Sequence, residues 1–103
     1  MFIQVMTTTD SLEAARALAR SAVEARVAAC AQISGPIESV YRWQGEVELA
    51  QEWTVVFKAR EVAYQMLENH IKANHSYEVP EIVATPISQG NPAYLSWVEE
   101  NAS

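Results

Sequence analysis

Hydrophobic and polar positions alternate along residues 30–60 with a period of two. Ile33, Ile37, Tyr41 and Trp43 occupy odd positions in the first half, and Val47, Leu49, Trp53, Val55 and Phe57 do so in the second. The even positions carry Gln32, Ser34, Glu38, Arg42, Glu46, Glu48, Glu52, Thr54 and Lys58. This alternation sets the odd row on one face of a sheet and the even row on the other. Gln44-Gly45 divides the two halves, and glycine there admits the positive φ of a tight turn. The segment therefore predicts a long β-hairpin.

The flanking segments follow other periods. Residues 2–8 are short, apolar and β-branched, and predict a strand. Asp10 with Glu13 after it has the spacing of a capping box. Residues 12–26 then place Leu12, Ala15, Ala19, Ala22, Val23 and Val27 on one helical face. A second helix is expected over 61–73, with Val62, Met66, Leu67 and His70 or Ile71 inward. Pro80 keeps Val79 out of helical geometry and marks a loop. A last strand over 81–87 carries Pro86, which favours an edge. Asn91-Pro92 supplies an N-cap and a first-turn proline for a terminal helix holding Tyr94, Leu95, Trp97 and Val98. The resulting β-α-β-β-α-β order with a trailing helix is an α+β, ferredoxin-like arrangement in a single domain, residues 1–103.

The hairpin is too long for that domain. An arm of roughly 14 residues spans about 46 Å, whereas a chain of this length is about 34 Å across. Gly35-Pro36 bends the first arm and shortens the overhang. An apolar row that outruns its core and ends in Tyr41 and Trp43 predicts burial against further copies of the chain, a homo-oligomer.

Charge narrows the partners. The chain of 103 residues has 13 acidic and 7 basic side chains, a net charge of −6. Scattered cations on an acidic chain argue against nucleic acid and against an anionic membrane surface, and favour cationic ligands. Cys30 is the only cysteine, so no intrachain disulfide forms. With no basic, long apolar leader at the N-terminus, the expected compartment is the cytoplasm.

Catalytic signatures are missing: there is no Gly-rich phosphate loop, no paired-cysteine metal spacing and no Gly-x-Ser-x-Gly. The expectation is a protein that is not an enzyme. An acylphosphatase-like hydrolase on this topology would need an arginine beside Met6-Thr7-Thr8-Thr9-Asp10, which has none. Cys30 lies in an apolar run and reads as a buried structural thiol. His75, Glu78 and Glu81 form a potential zinc or copper set on the Pro80 loop. The same residues read as a helix-capping histidine and solvated glutamates, and both readings stay open. Trp43, Tyr41 and Trp53 read as a ligand slot or as core and interface. Lys58 reads as an anion contact or a solvated lysine.

Ala28-Ala29-Cys30, Tyr41-Arg42-Trp43-Gln44-Gly45-Glu46, His75-Ser76-Tyr77-Glu78-Val79-Pro80-Glu81-Ile82 and Tyr94-Leu95-Ser96-Trp97 together resemble the landmarks of the divalent-cation tolerance protein CutA family. The resemblance runs along nearly the whole chain, and the His-x-Tyr-Glu-x-Pro-Glu-Ile block is its most specific part. It implies a ferredoxin-like fold assembled as a homotrimer through the hairpins, and a link to copper tolerance and metal binding. It also implies a likeness to the trimeric PII signalling proteins, with a signalling or adaptor role without metal as the alternative. Where family members offer copper a cysteine on the first strand and two adjacent histidines, this chain has Met6 and Asn74-His75, a weaker set for a copper cation. The residues carried forward are His75 and Glu81 for a metal, and Trp43, Lys58 and Tyr77 for a small ligand at clefts between subunits.

Overall fold

The computed structural model describes residues 1–102. Chain order is β1 (Phe2–Thr9), α1 (Leu12–Glu24), β2 (Cys30–Trp43), β3 (Glu46–Arg60), a 3-10 turn (Glu61–Ala63), α2 (Tyr64–Ala73), β4 (Val83–Ile87) and α3 (Pro92–Asn101). The strands form one antiparallel sheet in the order β2-β3-β1-β4, the ferredoxin-like order. The first strand is thus internal, and Pro86 sits on the edge strand β4 as its missing N–H requires.

One face of the sheet is closed by α1 and α2. Ile3 and Val5 of β1 and Val55, Phe57 and Ala59 of β3 meet Ala15, Leu18, Ala19 and Ala22 of α1 and Leu67 and Ile71 of α2. Burying a side chain such as Phe57 or Leu67 contributes about 1.5–3 kcal/mol. The helical faces are narrower than the sequence predicts. Leu18 replaces Val23 on the inner face of α1, while Val62 and Met66 are exposed on and beside α2. The cap also differs, because Ser11 and not Asp10 is the N-cap of α1, its Oγ accepting the Ala14 N–H at 3.0 Å. Asn91 caps α3 as expected, accepting the Ala93 N–H at 3.0 Å, with Pro92 in the first turn. Val98 and Ala102 pack on Ala29 and Phe2 in a second, small cluster.

The hairpin closes at Gln44 and Gly45, with φ of 52° and 83°, the two positive values of a type I′ turn. Its faces are not those of a continuous alternation. Ile33 pairs with Val55 and Ser34 with Thr54, but beyond a bulge at Gly35-Pro36 the partners are Ile37 and Glu52. The extra residue flips the parity of β2 against β3. Since directly paired residues share a face, Tyr41 and Trp43 stand with Glu48 and Glu46, while Val40 stands with Leu49. The odd rows of the two arms therefore part company past the bulge.

Gly35 makes the bulge possible. Its φ is +138°, and a Cβ there would lie 2.9 Å from Trp53 Cδ1 and 3.1 Å from the Glu52 carbonyl oxygen. The molecule measures 45 × 25 × 22 Å, so the hairpin does overhang the domain. Val40, Val47 and Leu49 are 65–69% exposed there, and Tyr41 and Trp43 are 44% exposed.

Candidate functional site

Residues 74–82 run from α2 to β4 past the end of β1 and the middle of β3, and His75 and Tyr77 fasten them. The His75 Nε2–H donates to the Thr8 carbonyl at 2.7 Å, with Thr7 Oγ1 3.4 Å away. Its Nδ1 accepts the Tyr77 N–H at 3.1 Å. A carbonyl only accepts and an amide N–H only donates, so the proton sits on Nε2 and the ring is neutral. Neither nitrogen keeps a lone pair for a metal in this arrangement. The His75 and Tyr77 rings lie 4.9 Å apart, tilted by 49°.

Tyr77 carries the connection on to β3, its hydroxyl donating to Glu52 Oε2 at 2.6 Å. Burial, then the hydrogen bond and charge of Glu52, with smaller contributions from Asp10 and Tyr41, raise the Tyr77 pKa far above its ordinary value. The phenol thus remains a donor throughout the physiological range. Glu52 is 7% exposed and forms no ion pair among the described residues.

These groups form the floor of a cleft of about 490 Å³ between the hairpin and the loop. Tyr41, Trp43 and Tyr77 give it aromatic walls, and Glu52, Glu78 and Glu81 make it acidic. Among the described residues, no Lys or Arg lines it. The structure thus gathers Trp43, Tyr77 and Glu81 at one place, with His75 anchoring the loop beneath them. Trp53 instead packs against the main core.

Lys58 does not join them. It donates to Gln32 Oε1 at 2.8 Å and lines another cleft, of about 410 Å³, with Gln4, Tyr94 and Leu95. Cys30, its cross-strand partner, is half-buried and not fully enclosed, with Sγ 3.5 Å from the Tyr94 hydroxyl. That contact, with burial second, pushes the Tyr94 phenol up to about 12. Met6 lies in register between Val56 and Val83, and Asn74 is occupied in donating to the His70 carbonyl at 2.8 Å. Among the described residues, no three His, Cys, Asp or Glu side chains are placed to hold a metal ion.

Glu52 was not among the sequence candidates. It looks like one more polar residue in the even row of β3, and only the parity change at Gly35-Pro36 places it with Tyr41 and Trp43. A bulge signal at Gly-Pro was available, but the position of the compensating residue was not.

The antiparallel sheet with helices on one face, the overhanging hairpin and the acidic aromatic cleft define a ferredoxin-like α+β protein with a ligand-sized recess. Residues 3–101 match the family model of the CutA1 divalent ion tolerance protein, and the chain belongs to that family. It is 47% identical over 97 residues to the divalent-cation tolerance protein CutA of Thermus thermophilus, covering 94% of each chain. A structure of the T. thermophilus protein superposes with a TM-score of 0.97 over the full length of both chains. The chain is 42% identical over 99 residues to the chloroplastic Protein CutA 1 of Oryza sativa, of whose length it spans 56%. The periplasmic divalent cation tolerance protein CutA of Archaeoglobus fulgidus is 36% identical, with a TM-score of 0.95 and 98% of each chain covered. No helix among the described residues is long and apolar enough to cross a membrane.

Proposed function

We propose that this chain acts in divalent-cation tolerance as a cytoplasmic, non-enzymatic homotrimer that binds a cation where subunits meet. The observation behind this reading is the hairpin, which extends beyond the core with Val40 and Leu49 on one face and Tyr41 and Trp43 on the other. A ribbon whose Val40, Val47 and Leu49 stand outside its own core is stable when neighbouring copies cover that face. The acidic cleft lies beside that ribbon, so assembly would bring further ligands to it.

Glu81 and Glu78, both exposed, offer the carboxylate oxygens that divalent cations take. His75 would contribute only by releasing the Tyr77 amide from Nδ1. Lys58 would face this cleft only from another subunit. Native mass spectrometry of protein purified without chelator tests the assembly: a trimer is expected, and a monomer at micromolar concentration would overturn it. Titration with Zn²⁺ and Cu²⁺ tests the cation site, which should weaken in Glu81→Gln.

A further inference from the structure

We infer that the hairpin–loop cleft binds an organic ammonium ion, a primary amine on a short apolar stem, with its –NH₃⁺ on Glu52 and its stem between Tyr41 and Trp43. This rests on reading the cleft as a cation site, but not on its taking a metal.

Glu52 is the starting point. The residue is 7% exposed, and the only hydrogen bond its carboxylate receives among the described residues is the one from Tyr77 to Oε2. Oε1 is left without a donor, yet no buried polar atom is cut off from a partner or from the surface, so this oxygen opens on the cleft that Glu52 lines. A largely buried carboxylate with one neutral donor and no counter-charge gains when a cation meets its open oxygen. Tyr77 holds the carboxylate in place and leaves one oxygen directed at the ligand.

The walls select the kind of cation. A divalent metal needs several oxygen or nitrogen ligands around it, and among the described residues no such set is assembled in one chain. An ammonium group needs less: one charge-assisted hydrogen bond and a π face. Tyr41 and Trp43 supply rings on the same sheet face as Glu52, and Val79 supplies apolar contact for a stem. The volume of about 490 Å³ suits a small organic molecule and far exceeds a bare ion. Glu78 and Glu81 at the rim repel anions and attract cations.

The test is calorimetric titration of the full chain with n-butylammonium chloride, with n-butanol as the uncharged isostere at matched ionic strength. The expected result is saturable binding of the amine, roughly tenfold or more tighter than the alcohol. Glu52→Gln keeps an acceptor for the Tyr77 hydroxyl and should abolish that preference. Trp43→Leu, half-exposed and outside the core, should weaken the amine about threefold or more without touching Glu52. No saturation by about 10 mM amine, or equal amine binding by wild type and Glu52→Gln, would overturn the inference. A parallel Zn²⁺ titration separates the two readings. If Zn²⁺ binds in a Glu81-dependent way and the amine does not, only the ammonium inference falls; if neither binds, the cleft is not a cation site.

Discussion

Replacing Tyr77 by phenylalanine removes one oxygen and keeps the ring that lies against His75. It leaves the Glu52 carboxylate, 7% exposed, without the 2.6 Å hydrogen bond that is its only one among the described residues. Loss of a hydrogen bond to a charged group ordinarily costs about 1.5–3 kcal/mol. Because Glu52 lines an open cleft from which water can enter, we expect about 1–2 kcal/mol here. For a domain of this length that lowers Tm by roughly 5–15 °C. Scanning calorimetry at one fixed protein concentration measures it, since assembly makes Tm concentration-dependent. In a Glu52→Gln background the same change should cost about 0.5–1 kcal/mol, because a neutral amide is easier to leave unpaired. A Tyr77→Phe effect below about 0.5 kcal/mol, or no coupling between the two positions, would refute the assignment of Tyr77 as the group that holds Glu52.

Three further outcomes follow from the geometry. Gly35→Ala should destabilise by about 1–3 kcal/mol in urea unfolding, since alanine at φ +138° is strained and its Cβ meets Trp53. Ser11→Ala should lower stability by about 0.5–2 kcal/mol through loss of the α1 cap, measured by circular dichroism melts. Tyr94 ordinarily titrates near 10 and is pushed to about 12 in the folded chain, so it stabilises the fold below pH 10, an effect lost as pH rises from 10 to 12. Tyr94→Phe should remove that part of the alkaline decline, which stability measurements across this range will detect.

Much of the fold was legible because the hairpin and α1 carry strong periods. Alternation located both arms, Gln44-Gly45 located the turn, and Asn91-Pro92 located the start of α3. Errors arose where one tertiary contact outweighed a pattern. Asp10 and Ser11 are both good caps, and Ser11 is the one whose oxygen reaches Ala14 N–H. Val62 and Met66 fit an inner face by spacing, but Val62 falls in a 3-10 turn before α2 and both are exposed, so of the expected face only Leu67 and Ile71 are buried. The site was half legible. The loop from His75 to Glu81 is compact in sequence, so its residues were found together. Lys58 and Glu52 share a face of β3 but lie six residues apart, and only the register of the bulged hairpin puts Glu52, and not Lys58, beside Tyr41 and Trp43.

The internal position of β1 also governs the order of events during folding. Its partners are β3, about half a chain away, and β4, whose last paired residue is Ile87. The β2–β3 hairpin is local and closes over a two-residue turn, so it can form early, whereas β1 must wait for strands made long after it. On the ribosome the N-terminal strand keeps one side uncovered until residues 83–87 have emerged, an interval in which an unpaired edge invites misassociation. A chain truncated before β4 should therefore accumulate as an aggregation-prone intermediate and not as a smaller stable domain.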